Sequence, residues 1–371
     1  LLRMQVPDGQ TLRVPVGRFT RDQPLTFTAV EAGGLVHHKV HDQRWTSLPM
    51  RPADDPEPRF LYAPNTAATL NLVAVAAQCA RIWRQIDPGF SAQCLEAAER
   101  GYIAALRNPD IFASGSFHGG GDYGDGDLTD EFYWAAAELF VTTGNARYGR
   151  AVRDSPLYLA TPSLDDRSSG DIGWNAVAAL GTISLALADE GLEPSERDKA
   201  RANLVRSARS YLAEGQGQGY GHPFSGPDYS WGSNGNLMNR AVVLGLAFDF
   251  SGERSFRDGV VAALDYVLGR NPLDQSYVTG HGDRPMRNPH HRFWAPSADS
   301  AYPAPPAGVL SGGPNNTAMS DPVAETMRGT CAPQTCWRDD IGAFTQNEVA
   351  INWNAPLVWV VAFLDPNPVA P

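Results

Sequence analysis

Lysine is nearly absent from this sequence. Lys39 and Lys199 are the only two, arginine supplies the other positive charges, and an excess of acids leaves a formal charge of −11 with a pI near 5.2. A nucleic-acid partner needs a basic face and is therefore not expected, whereas a neutral polysaccharide is compatible. Cysteine is scarce too: Cys79, Cys94, Cys331 and Cys336 are too few for a disulfide scaffold and fit no zinc-ribbon spacing. Cys331 and Cys336, in GTCAPQTCW, either close a short disulfide or stay as buried thiols, and Cys79 and Cys94 fall on neighbouring segments that could face each other. No apolar run reaches the length that crosses a bilayer, so no membrane partner is expected. No Gly-x-Ser-x-Gly elbow occurs, which argues against a Ser/His/Asp hydrolase.

What the chain does have is a large apolar content, 43% hydrophobic and 10% aromatic over 371 residues, enough for one large core or two modest ones. From Asn65 onward, apolar residues recur at three and four positions. They predict paired helices over Thr66–Trp83 with Ala92–Leu106, split by the turn residues Pro88 and Gly89, and over Asp130–Thr143 with Tyr148–Arg153. Trp174–Ala188 with Pro194–Ala213, and Asn236–Phe250 with Arg254–Leu268, continue the pattern. Such repetition describes an all-α chain of helical hairpins. Ahead of it, residues 10–32 alternate around Leu12, Val14 and Val16 and then Leu25, Phe27 and Ala29, which predicts a β-hairpin inserted in the single domain spanning 1–371.

The long loops carry the chemistry-bearing residues. His37, His38 and His41 cluster, but no cysteine is near and only His37 to His41 has helical ligand spacing, so a metal there is not favoured. GGGDYGDGDLTDEFYW, from Gly119 to Trp134, places Asp122, Asp125, Asp127, Asp130 and Glu131 in a glycine-rich turn. Oxygen ligands on such a backbone suit Ca²⁺ although the spacing is not that of an EF-hand; alternatively the acids cap a helix. In the polar loop from Gly215 to Asn236, Tyr220, Tyr229 and Trp231 have few apolar neighbours and read as platforms for the C–H faces of sugar rings. His290 and Arg292 can donate to sugar hydroxyls.

In WRDDIGAFTQNEVAINWNAPL, from Trp337 to Leu357, one glutamate stands among groups that raise an acid's pKa. Glu348 precedes an apolar run that predicts a buried helix, and Asp339, Asp340 and Phe344 lie just upstream. Desolvation and like-charge repulsion would both push Glu348 toward the range of a general acid. The same residues could instead be an N-terminal cap cluster.

The order of Trp337, Asp339, Phe344, Glu348, Ala350, Asn354 and Ala355 resembles the C-terminal active-site motif of glycoside hydrolase family 9, the cellulases and related β-glucan hydrolases. SYVTGHGDRPMRNPHHR, with Ser276, Val278, Thr279, Gly282, Arg284, Pro289, His290 and Arg292, resembles that family's second motif. The resemblance implies an (α/α)6 barrel and inverting hydrolysis of β-1,4 bonds in cellulose, β-glucan or cello-oligosaccharides, endo-acting or cellodextrin-trimming. It makes Glu348 the acid and Asp339 a supporting catalytic residue, with Asp340 a second possibility. It carries substrate contacts onto His38 and Trp231, structural Ca²⁺ onto Asp130 and Glu131, and export to the medium or periplasm. It puts the catalytic base in an Asp-x-Gly-Asp stretch, along with the first helices, upstream of the point matching Leu1. An upstream segment of the same domain is therefore expected, as is little hydrolysis by residues 1–371 alone. A non-catalytic glycan-binding or scaffolding remnant is the alternative.

Overall fold

Caps and glycines punctuate the helices. In a computed structural model of the chain, which describes residues 1–17, 25–113, 115, 119–162, 172–189 and 191–366, two compact units are present. One comprises Leu1–Trp45 with Pro56–Asn203, the other Thr46–Asp55 with Leu204–Pro371.

In the first unit, β1 (Thr11–Pro15) pairs antiparallel with β2 (Phe27–Glu31), while the expected turn between them includes residues 18–24, which lie outside the described residues. The expected hairpin forms, with Val14 buried and Val16 and Phe27 exposed. Thr11 stands opposite Glu31, so Leu12 faces Val30, and Val30 rather than Phe27 or Ala29 packs with Leu12 on the cluster of Val6, Val14, Ala32, Leu35, Ala104 and Ile111. Side chains alternate across a strand, so this register turns Phe27 to the other face, 5.5 Å beneath the Arg13 guanidinium. Two short ribbons follow: β3 (Val36–His37) with β6 (Pro64–Asn65), and β4 (Val40–Asp42) with β5 (Arg59–Leu61).

The helical hairpins come next. α1 (Thr66–Trp83) starts where the Asn65 side chain accepts from the Ala68 amide, and α2 (Pro88–Arg107) where Asp87 caps Phe90 and Pro88 gives up only an amide that would be unbonded anyway. α1 and α2 are alanine-rich on their facing sides, and a Cβ on Gly101 would come 2.9 Å from Val73 Cγ2. α3 (Thr129–Thr143) ends at Gly144, whose φ of 67° closes the helix at little cost, and α4 (Ala146–Asp154) follows directly. Buried Glu138 of α3 is held by Arg81 at 2.6 Å and by the Trp134 indole at 3.2 Å. α5 (Ala178–Leu187) and α6 (Pro194–Gln216) complete the series, and the division between the units falls inside α6.

The second unit contains α7 (Ser233–Ser251), α8 (Arg254–Val267), a parallel pair β7 (Ser276–Thr279) and β8 (Pro285–Met286), and the short helices α9 (Pro322–Glu325) and α10 (Phe344–Asn347). It closes with α11 (Ile351–Leu364), which packs on α7 through Trp359 against Gly245 and through Phe363 against Phe248, ring centres 6.1 Å apart. The expected buried helix after Glu348 is only half realised. Leu357 and Val360 are buried, but Ile351, Val358 and Val361 are 91%, 69% and 51% exposed, because only one stripe of α11 meets α7 and the apolar run is wider than that stripe.

Candidate active site

Glu348 sits in the break between α10 and α11, with extended backbone at ψ 147°. It caps no helix start. Its main chain is held on two sides: the His290 amide donates to the Asn347 carbonyl at 2.9 Å, and the Gly312 amide donates to the Glu348 carbonyl at 3.0 Å. Upstream, buried Asp321 accepts from the Thr345 amide at 3.0 Å, and the Asn347 side chain donates to the Asp340 carbonyl at 3.0 Å. These bonds fix the backbone and leave the Glu348 side chain half-buried rather than sealed.

Burial raises the Glu348 carboxyl above the ordinary range, opposed by the Trp231 indole N–H, which donates to it, and by the Arg292 charge. No neighbouring carboxylate contributes, so desolvation acts without the like-charge repulsion expected from Asp339 and Asp340. Asp339 is engaged elsewhere. Its carboxylate accepts from the Arg287 amide at 2.9 Å and the Asn288 amide at 2.7 Å, tying the second motif to the first.

Trp231, 38% exposed, tilts against Phe344 with centroids 5.8 Å apart. Just after it, Gly232 and Gly235 pack against the Trp353 ring, where a Cβ would come within 2.7 Å and 2.3 Å of it. His290 also tilts against Phe344, centroids 5.6 Å apart. Its Nδ1 donates to the Ile341 carbonyl at 2.7 Å, and its Nε2 accepts from Arg292 Nη1 at 3.3 Å. Burial lowers its pKa, which keeps the ring neutral in this tautomer. Both ring nitrogens are thus committed to the protein, and neither is left to donate to a sugar as the sequence reading supposed. Arg292 also donates from Nε to the Thr46 carbonyl at 3.2 Å.

Trp231, His290, Arg292, Phe344 and Glu348 are therefore brought together, whereas Tyr220 is half-buried in its own turn, its amide donating to the Gln218 side chain at 3.3 Å. Tyr229 is no platform. It is 1% exposed, and its hydroxyl meets Nε2 of buried His222 at 3.2 Å, because the loop folds inward here over Tyr266, on which the His222 ring stacks at 3.9 Å.

His38 belongs to the first unit. Its Nε2 donates to the Asp122 carbonyl at 2.9 Å, and Lys39 Nζ donates to the Gly121 carbonyl, so the pair clamps the glycine-rich turn. His37 and His41 point their Nδ1 atoms at the carbonyls of Tyr62 and Asp42, at 2.7 Å and 2.9 Å. Asp130 and Glu131 do converge, joined by Asp125 of the same glycine-rich turn: ligand oxygens of the three lie within 4.8 Å of one another. Glu131 is 1% exposed, and burial first and Asp130 second push its carboxyl up to about 10. Glu131 Oε2 and Asp125 Oδ2 are buried without a partner, which is what an all-oxygen set needs to take a hard cation. Unforeseen is an exposed aromatic pair, Tyr123 and Trp174, edge-on with centroids 6.0 Å apart; Tyr123 has φ 48°. Tyr123, like Tyr220, is an aromatic in a glycine-rich loop, and that pattern marks it in the sequence.

Residues 18–361 match the model of glycosyl hydrolase family 9. The chain belongs to this family. Over 352 residues it is 44% identical to a cellulose 1,4-beta-cellobiosidase of Acetivibrio thermocellus, covering 90% of this chain and 39% of that protein. Over 353 residues it is 44% identical to endoglucanase C of Cellulomonas fimi, covering 92% of this chain and 32% of that one. Among solved structures, a thermostable endoglucanase mutant from Alicyclobacillus acidocaldarius superposes with a TM-score of 0.79 at 32% identity, covering 88% of this chain and 60% of that one. A metagenome-derived family 9 endoglucanase does so with a TM-score of 0.80 at 30% identity, covering 97% and 58%. The fold class is accordingly the all-α, (α/α)6 class that the motifs implied. The chain spans well under half the length of the first two curated relatives and about 60% of the solved chains.

Proposed function

We propose that this chain contributes the proton donor of an inverting β-1,4-glucan hydrolase, with Glu348 as that donor. The supporting observation is the half-buried Glu348 carboxyl, raised by desolvation and flanked by Trp231 and Arg292. A glycosidic bond breaks when its oxygen is protonated as positive charge develops on the ring, and a carboxyl held protonated near neutrality is suited to that step. Trp231 offers an aromatic face to a pyranose, and Arg292, aimed by His290, offers N–H donors for hydroxyls. Asp339 supports the site by holding residues 287 and 288. The water-activating carboxylate is the partner that the family's Asp-x-Gly-Asp stretch would supply, and we assign no aspartate of this chain to it. Cellulose, β-glucan and cello-oligosaccharides are the proposed substrates, as the names of the relatives suggest.

Ca²⁺ is the proposed ion for Asp125, Asp130 and Glu131, where its role would be to hold the turn before α3. His38 and Lys39 clamp the same turn. Export is supported by the Cys331–Cys336 disulfide, which persists in oxidising surroundings.

Glu348→Gln, assayed on cellotetraose in the native protein that carries this sequence, tests the central assignment. Hydrolysis should fall by about 10²–10⁴-fold while oligosaccharide binding persists. Unchanged hydrolysis would overturn the assignment, and a parent protein that binds but never cleaves would favour the glycan-binding alternative.

A further inference from the structure

The two cysteines outside the disulfide lie side by side. Cys79 on α1 and Cys94 on α2 have their sulfurs 3.0 Å apart, about 1 Å beyond a disulfide bond. The local packing brings them there: the Ser91 hydroxyl donates to the Ala80 carbonyl at 2.7 Å, joining the first turn of α2 to α1 one residue from Cys79, and Trp83 meets Phe90 edge-on at 5.5 Å beside the turn. Cys94 lies one helical turn beyond Ser91, on the face that this contact turns toward α1. We propose that Cys79 and Cys94 form a second disulfide, which staples the α1–α2 hairpin when the chain meets a disulfide oxidant. A second observation supports this: the chain already holds Cys331–Cys336, so the environment that oxidises one pair reaches the other.

The chemistry is thiol–disulfide exchange with a small-molecule or protein disulfide. Cys79 is partly exposed and attacks first, while Cys94 is buried. Burial and the neighbouring Cys79 push the Cys94 thiol up to about 12, which makes it the poorer opening nucleophile. The Cys79 thiolate bonds to one sulfur of the oxidant and expels the other as a thiolate. Cys94 then attacks the Cys79 sulfur and expels the second thiolate. The two protons lost by the cysteines end on the two departing thiols, and the two electrons reduce the oxidant. The ring closed spans 15 residues of sequence separation, long enough for cross-linking to remove real freedom from the unfolded chain.

The test uses the native protein that carries this sequence, with oxidised glutathione as the probe. Thiols are titrated in denaturant, and peptides are mapped without reduction. The expected result is the loss of two titratable thiols on oxidation, a linked Cys79–Cys94 peptide pair, and a rise of roughly 5–10 °C in the unfolding midpoint of the oxidised protein. Cys94→Ser should instead trap one glutathione on Cys79 and show no rise, which confirms that Cys94 is the resolving sulfur. Cys79→Ala, which suits the alanine-rich interface, should fold and also show no rise. No loss of titratable thiols on oxidation, a stable glutathione adduct on Cys79 of the unaltered chain, or a link from either cysteine to Cys331 or Cys336 would each overturn the proposal.

Discussion

His290 holds Arg292. Nε2 of the ring accepts from the Arg292 Nη1 group at 3.3 Å while Nδ1 donates to the Ile341 carbonyl, so a neutral imidazole links the second motif to the first. Replacing it should disorient the guanidinium without removing it. His290→Ala is expected to lower kcat/KM on cello-oligosaccharides about tenfold to a hundredfold, the equivalent of ~1–3 kcal/mol for a buried donor left unsatisfied. His290→Asn, whose amide can reproduce one of the two bonds, should recover part of the loss. Steady-state kinetics of the two variants check this, and equal damage in both would show that ring volume, not hydrogen bonding, matters.

The indole of Trp231 tunes Glu348. It donates to the carboxylate and so favours the charged form, against the burial that raises the pKa. A general acid works only while protonated, so activity is lost as pH rises through its pKa. Trp231→Phe keeps an aromatic ring and removes the donor, so the Glu348 pKa should rise and the alkaline limb of the kcat/KM profile should move to higher pH. Arg292→Gln should move it in the same direction. A limb that stays in place, or moves down, in both variants would contradict the assignment of Glu348 as the titrating acid.

Removing the proposed cation from the Asp125, Asp130 and Glu131 cluster should leave buried carboxyls without a counter-charge. EDTA is expected to lower the unfolding temperature, and Ca²⁺ at a hundredfold excess over its Kd should return about 2.7 kcal/mol. Glu131→Gln should remove most of that response while the chain remains folded. Calorimetry with and without added Ca²⁺ measures both, and identical melting curves would rule out an ion there.

Asp339 spans two amides, Arg287 and Asn288. An asparagine offers one oxygen where the carboxylate offers two, so Asp339→Asn should cost about 1–2 kcal/mol of stability. In urea this would appear as a lower midpoint with an unchanged m-value.

The helical hairpins were legible because their signals are local: Asn65 and Asp87 cap, Pro88 and Gly89 break, and Gly144 and Gly252 end helices at positive φ. Much of the site was legible for a similar reason, since His290, Arg292, Asp339 and Glu348 lie inside two short motifs. What was not legible depended on distant neighbours. Whether Phe27 or Val30 turns inward is decided by register against β1, whether Tyr229 is platform or core by its approach to His222, and whether α11 is covered by the width of α7. The double engagement of His290 was hidden as well, because one partner is a main-chain carbonyl that carries no mark in the side-chain pattern.

The Cys331–Cys336 bond closes a ring of only five residues' separation, beside a small cluster of Met319, Ala324, Met327 and Cys336, immediately before Trp337. So tight a loop restricts an unfolded polypeptide only modestly, by ~2 kcal/mol. It lies directly before Trp337, the first residue of the motif that contains Glu348. A storage buffer containing dithiothreitol should therefore lower the melting temperature by a few degrees, and preparations kept free of reductant should melt higher.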